Sequence, residues 1–422
     1  VMQRREFGYV ISLLLLVCAG RALANEVTTA LSKDAGQHWS VTYTAEKPVT
    51  RLAFARSPDD SRTRRWQPFT DAFVVRYFDG QEYIERTDGA AFTSVSLHLT
   101  PTYIPLPKDY APFSPFSDGG MLLHSGRFFA CAEACDSATQ TWAFTLSVPA
   151  NESIIVSGKG YQETAGWEDT DSGQTVYVGT ANPIADSHFV SIIDQQLPAE
   201  LSQLIAAKLP ELMAKFAAQL GELAFRPTLF ASYSDTDDGR YGHQGGVLPG
   251  QVFMHWYGKP AIAQLDSQAV YWFFAHEVAH LFQREAAQIE IPADAWVHEG
   301  VAEFFAGQMA DKGYFGDKLV QAKLRCRQGL QGFNDYAQAS QRNSQLHYSC
   351  GVVLMNAINA DLLATSDKTL FDVWKAFNAS VMAGATPSAQ SFVATLRPYL
   401  SAPMQARIED FATRGRIDWL ME

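Results

Sequence analysis

Between residues 25 and 190 the chain is made of short runs in which apolar and polar side chains alternate. Examples are Trp39-Ser40-Val41-Thr42-Tyr43, Ala72-Phe73-Val74-Val75-Arg76-Tyr77-Phe78 and Thr93-Ser94-Val95-Ser96-Leu97-His98-Leu99. A period of two sends successive side chains to opposite faces of a strand, so this stretch predicts an antiparallel β-domain, sandwich-like, with proline-rich loops near 101–116. At Pro198 the period changes. Leu201, Leu204, Ile205, Leu209, Leu212, Phe216 and Leu220 recur at helical spacing and predict a helix over 198–220. Residues 227–233 and 250–256 read as strands, with the glycine-rich stretch 235–246 between them as a solvated loop. Beyond these, helical patterns dominate: around 271–282 and 296–305, over 318–330, after Tyr348, and over 370–377, 391–399 and 404–412. The pattern is α+β, with a β-domain over 25–195, a mostly helical domain over 196–365 and a C-terminal helical segment over 366–422 packed on it.

The first residues follow another logic. Arg4 and Arg5 precede an apolar run centred on Ile11-Ser12-Leu13-Leu14-Leu15-Leu16-Val17, and Arg21-Ala22-Leu23-Ala24 closes it. A basic start, a short apolar core and an Ala-x-Ala end predict a bacterial-type secretory signal over 1–24, cleaved after Ala24, with export to the periplasm or beyond. The run is short for a membrane span, and nothing later is apolar enough to cross a bilayer, so no stable membrane insertion is expected once the signal is removed. The formal charge of −12 becomes −14 when Arg4, Arg5, Arg21 and Glu6 leave with the signal. That balance, without a basic cluster, argues against a nucleic-acid partner. Cys18 also leaves. Cys131, Cys135, Cys326 and Cys350 remain, and in an exported protein they are expected to pair as sequence neighbours.

The chemistry is concentrated in His276-Glu277-Val278-Ala279-His280. On a helix, positions i and i+4 share a face, so both imidazoles can address one ion, while Glu277 stands beside it, free to take a proton from water. A catalytic zinc takes a third protein ligand and keeps one position open. Glu299 is the candidate, eighteen residues past His280, in Trp296-Val297-His298-Glu299-Gly300-Val301-Ala302-Glu303-Phe304-Phe305. This reads as a second helix with Asp294 as its N-cap, and Glu303, one turn beyond Glu299, is placed to orient a ligating histidine through its far nitrogen.

His276-Glu277-x-x-His280, then eighteen residues, then Glu299 in His298-Glu299-Gly300, resembles the gluzincin zinc metallopeptidases, in particular the aminopeptidase N-type and glycyl-aminopeptidase-type families. The first residue of the triplet is Asn in many members; here it is His298. Downstream, Tyr348-Ser349-Cys350-Gly351 is similar to the Tyr-x-x-Gly of those families. The resemblance covers roughly residues 250–355. It implies a thermolysin-like catalytic domain within 196–365, one Zn²⁺ ligated by His276, His280 and Glu299, Glu277 as general base, Tyr348 as oxyanion donor, and a peptide or protein as substrate. It also implies that the strand over 250–256 is a sheet edge that holds the substrate backbone. Aminopeptidase N-like members carry Gly-Ala-Met-Glu-Asn there, whose glutamate grips the free α-amine. This chain has no acidic residue between Asp238 and Asp266, which counts against the aminopeptidase activity the resemblance implies unless Glu303 or a residue of the β-domain substitutes, and leaves open whether the enzyme trims ends or cuts within chains. Two rival readings share the same residues: an inactive metallopeptidase-like module that binds peptides, and a zinc hydrolase of non-peptide substrates.

Overall fold

A computed structural model describes residues 26–106, 109–135, 141–333 and 335–414; the expected signal and the last residues, 415–422, lie outside the described residues. The molecule is α+β, with several sheets followed by a helical C-terminal region.

The N-terminal half holds a six-stranded, a four-stranded and a five-stranded sheet, all contributing to one aromatic-rich core that includes Trp39, Tyr43, Phe54, Trp66, Phe113, Phe128 and Phe144. The alternation seen in the sequence is what builds it: in Trp39–Val49, Trp39, Val41 and Tyr43 are buried while Ser40 and Thr42 are not. Two expectations need correction. Three sheets share the core where a two-sheet sandwich was expected. The six-stranded sheet is mixed, because Val27–Lys33 runs antiparallel to Trp39–Val49 but parallel to Trp142–Ser147. A parallel pair needs a long crossover, and the intervening chain supplies it.

The second half is built on a sheet of which four strands matter for function: β1 (Val190–Ile193), β2 (Thr228–Ser234), β3 (Gly242–Leu248) and β4 (Gln251–Tyr257). The order is Ile184–Ala185, β1, β2, β4, β3, parallel from β1 through β2 to β4 and antiparallel between β4 and β3. Residues 184–193, which the pattern placed in the first segment, are thus hydrogen-bonded in this second sheet. The stretch 235–246, expected to be a loop, forms β3 from Gly242 onward, and β3 replaces 250–256 as the edge, since β4 has a partner on both sides. Gly245 and Gly246 explain why no strand period was visible. A Cβ at Gly245 would meet the Phe273 ring and the Phe253 carbonyl at about 2.5–2.6 Å, and one at Gly246 would strike the Tyr110 hydroxyl, so the strand gives up side chains to fit under its neighbours.

Four helices carry the site: α1 (Ser267–Gln283), α2 (Trp296–Met309), α3 (Lys312–Gly329) and α4 (Gln345–Thr365). Asp266 starts α1 by accepting from the Gln268 N–H at 2.9 Å. Asp294 does not cap α2. It ends a 3₁₀ turn, Pro292–Asp294, ahead of a helix whose cap is Ala295, and its carboxylate instead accepts from the Ala389 N–H at the start of Ala389–Leu396. The expected 198–220 helix is present as Ala199–Gln203 and Leu209–Leu220 joined through a π-turn, and its Phe216 stacks on Phe282 of α1 at 5.5 Å. The helices and the inner face of the sheet share one core, running from Leu229 and Val252 through Phe274, Val301 and Leu354 to Phe411. A smaller cluster, with Phe116, Leu122, Ile155 and Tyr177 from the first half against Ile192, Phe230, Leu248 and Phe253 from the second, joins the halves. Among the described residues no helix is long and apolar enough to cross a membrane.

Candidate metal centre

The helical spacing brings His276 and His280 together on the face of α1 that meets α2, and Glu299 stands opposite them. The His276 and His280 Nε2 atoms are 3.0 Å apart, and Glu299 Oε2 lies 3.2 Å from each. Ligand atoms from His276, His280 and Glu299 all fall within 4.8 Å of one another, the one such cluster among the described residues. Three electron-rich atoms do not converge in a buried place without a positive group to share. Glu299 Oε2 is buried and accepts no hydrogen bond, despite two imidazoles at its side. That orphaned oxygen fits a cation, and two imidazoles with one carboxylate are a zinc donor set.

Neighbouring residues fix the rings. His280 Nδ1–H donates to Gln283 Oε1 at 2.8 Å, and Gln283 Nε2 donates to the His298 carbonyl at 2.7 Å, tying α1 to α2. With the proton on Nδ1, the Nε2 lone pair of His280 is left for the ion. His276 Nδ1 lies 3.2 Å from Glu303 Oε1, while Glu303 Oε2 accepts from Trp272 Nε1 at 2.9 Å. Glu303 therefore stands beside the far nitrogen of His276, at ion-pair distance but without a hydrogen bond to it. Gln283, fully buried, was missed; a polar residue closing the apolar pair Leu281-Phe282, three past His280, was the available signal.

The electrostatics follow from burial and from these contacts. Burial pushes the Glu299 carboxyl up, but the charge of His280 and contacts with His276 outweigh it and hold it well below the usual carboxylate range. For His276, burial works downward and the Glu299 and Glu303 carboxylates more than compensate, raising the imidazole well above its ordinary value. Glu277 is raised by burial, with the nearby imidazoles opposing. Tyr348 sits on α4 with its ring 5.5 Å from that of His276, and burial together with Glu299 and Glu277 pushes its phenol far up, so it stays protonated.

The glycines of the two matched motifs explain how Tyr348 gets there. Gly300, next to Glu299, and Gly351, three past Tyr348, face each other across α2 and α4; a Cβ on either would come within about 2.7 Å of the other's Cα. Backbone contact at this crossing draws Tyr348 to the imidazoles. Cys350 is bonded to Cys326, joining α4 to α3, and Cys131 is bonded to Cys135, both as expected.

Cavities flank the cluster. One of about 660 Å³ opens past His280 and Glu299 among Phe225, Val247, Leu248, Leu281 and Met382. Another, of about 540 Å³, opens past Glu303 and Tyr348 between α3 and α4.

No family model matches the sequence, and no curated protein matches it. The fold has clear counterparts among solved structures. An aminopeptidase N family protein from Idiomarina loihiensis superposes with a TM-score of 0.62 at 12% identity, over 93% of this chain and 76% of that one. An M1 zinc metallopeptidase from Deinococcus radiodurans gives 0.51 at 15% identity, over 94% of both chains. Leukotriene A4 hydrolase from Saccharomyces cerevisiae gives 0.52 at 12% identity, over 93% of this chain and 68% of that one. The chain therefore has the fold of these three proteins, along nearly its whole described length.

Proposed function

We propose that this protein is an exported bacterial zinc peptidase that hydrolyses peptide bonds. The observation that carries the reading is the buried, orphaned Glu299 Oε2 placed 3.2 Å from two imidazole nitrogens, with Glu277 and Tyr348 beside it. Zinc held by His276, His280 and Glu299 supplies polarisation of the substrate carbonyl and acidification of water towards neutrality. The protein's residues do the rest. Glu277, its carboxyl raised by burial, takes the proton of the attacking water and returns it to the leaving nitrogen as the C–N bond breaks. Tyr348, held protonated, donates to the developing oxyanion. The open side of β3 offers main-chain groups to an extended substrate.

The counterparts support a peptide substrate, since a variant of the Deinococcus radiodurans enzyme is seen with a Tyr-Ser-Ala substrate. β3 reads Gly-His-Gln-Gly-Gly-Val-Leu and offers no carboxylate to a free amine, so the strand supplies no charge that would restrict the enzyme to chain ends. Export is supported by the character of residues 1–24 and by two disulfides.

Elemental analysis of gently purified protein should find close to one zinc per chain. Glu277→Gln should keep the zinc and lose roughly 10²–10⁴-fold or more in kcat on a mixed peptide pool. A zinc-free preparation that cleaves, or undiminished cleavage by the variant, would refute the mechanism.

A further inference from the structure

α3 is out of character with the rest of the chain. Lys312, Lys318, Lys323, Arg325 and Arg327 stand against Asp317 alone, in a protein of net charge −12. Lys318, Gln321, Arg325 and Gln328 recur at spacings of three and four, so they share one face. That face lines the 540 Å³ cavity, with Asn343 and Gln345 across from it. Lys318 is half-buried at the cavity's inner part, while Gln321, Arg325 and Gln328 are exposed along its mouth.

The inner end of this cavity is the metal centre's own perimeter: Trp272, Glu303 and Tyr348. The carboxylate at that end is already engaged, by His276 on one oxygen and Trp272 on the other. The cations are different. Among the described residues neither Lys318 nor Arg325 forms an ion pair. Lys318 Nζ lies over the rings of Trp272 and Tyr314 at 5.4 and 5.3 Å, a contact that holds the ammonium at the cavity without neutralising it. Arg325 is about two turns further out along the same face, roughly 10 Å. The Cys326–Cys350 bond, next to Arg325 in sequence, fixes this wall to the helix that carries Tyr348.

We propose that this cavity is a subsite for a carboxylate of the substrate, with Lys318 and Arg325 as its counter-ions and the amides of Gln321, Gln328, Asn343 and Gln345 as further donors. The inference rests on the peptidase reading and adds a substrate class to it: peptides that carry an anionic group on the Tyr348 side of the scissile bond. The carboxylate comes either from the free C-terminus of a short peptide or from an acidic side chain near the cut. Opposite charge and several convergent donors at the end of a cleft are what carboxylate recognition requires. The cavity on the other side of the metal centre is lined by Phe225, Leu248 and Met382 instead.

The test uses three matched peptides differing only in the last residue: neutral with a free carboxylate, the same peptide amidated, and an amidated peptide ending in glutamate. With zinc-loaded full-length protein, at least one anionic peptide should exceed the neutral amide by about tenfold or more in kcat/KM, mainly through KM. The double variant Lys318→Gln/Arg325→Gln should bring that ratio close to one. Preference for the free acid alone assigns the site to the C-terminus; preference for the glutamyl amide alone assigns it to a side chain. Equal kcat/KM for all three, or a preference that survives in the double variant, overturns the proposal. Binding of the same peptides to Glu277→Gln, measured by calorimetry, separates this from the peptidase reading. If nothing is cleaved yet the anionic peptides bind tighter and lose that advantage in the triple variant, the subsite stands and the catalytic reading falls. If nothing is cleaved and all three bind alike, both fall.

Discussion

Gln283 is uncharged and does not address the ion's place, yet it decides which nitrogen of His280 does. Its Oε1 accepts a hydrogen bond from the Nδ1–H and its Nε2 is anchored on the His298 carbonyl, so the ring cannot turn without losing a bond to a fixed acceptor. Gln283→Met keeps the volume and removes the acceptor. Zinc affinity should fall by about 10–100-fold in a chelator competition, with the helix content unaltered; affinity within twofold of the parent would show that packing alone holds the ring. His276 and His280 were readable from the sequence because an α-helix converts a spacing of four directly into a shared face, whereas Glu277 and Glu299 were readable through the motif they form with those histidines. Gln283 was not readable in the same way, since its role depends on a carbonyl contributed by a different helix. Asp294 shows the converse: a good capping residue by local rules, drawn off by the amide of Ala389, 95 residues away in sequence.

Between elements, the decisive contact is the glycine pair at the crossing of α2 and α4. The sequence offered Glu299-Gly300 and Tyr348-x-x-Gly351 as separate motifs; the structure shows that their glycines touch. Gly351→Ala would force the helices apart, costing about 1–3 kcal/mol of stability as an overpacked core does. It should also lower kcat more than it raises KM, because Tyr348 would retreat from the oxyanion while the edge strand and its grip stay in place. Thermal unfolding and steady-state kinetics on one preparation check both parts, and a variant with parental kcat would remove the crossing from the mechanism. β3 was hidden for a related reason. A strand is recognised by alternating side chains, and this one has given them up at Gly245 and Gly246 so that Phe273 and Tyr110 can lie against it. Elements whose own side chains do the packing, such as Trp39–Val49 or α1, were visible; elements shaped by what packs on them were not.

For the whole molecule, the seam between the halves is where two histidines are buried. His124, from the first half, meets Tyr110 edge-on at 5.1 Å, and neither of its ring nitrogens has a hydrogen-bond partner. His255, on β4, lies against Tyr103 at 4.3 Å, with its ring nitrogens 2.8 and 3.1 Å from Ser232 and Ser234. Burial pushes both down to about 3, with Arg56 and Arg127 adding to the effect at His124. The unfolded chain therefore takes up these protons first. Their contribution to stability is complete above pH about 6.5 and is lost as the pH falls towards 3, by up to about 1.4 kcal/mol per pH unit for each group. Denaturant unfolding of metal-free protein at pH 7.5, 6 and 5 should show that decline, and His255→Asn should reduce its slope by about the share of one group. An unchanged slope in the variant would mean that His255 is not buried neutral at the seam. The same seam braces the cleft: Tyr103 Oη donates to Gln244 Oε1 at 3.1 Å, and Gln244 Nε2 donates to the Asp109 carbonyl at 2.8 Å, so the first half holds β3 from behind.

With β4 on one side only, the other margin of β3 carries no strand partner among the described residues. A peptide lying along it would be held through amides and carbonyls that every residue possesses, a grip indifferent to the letters being read. Tolerance along the middle of a substrate and choosiness at its flanks then belong to different pieces of the protein, so replacing a few residues of α3 could redirect what is digested without disturbing how it is cut.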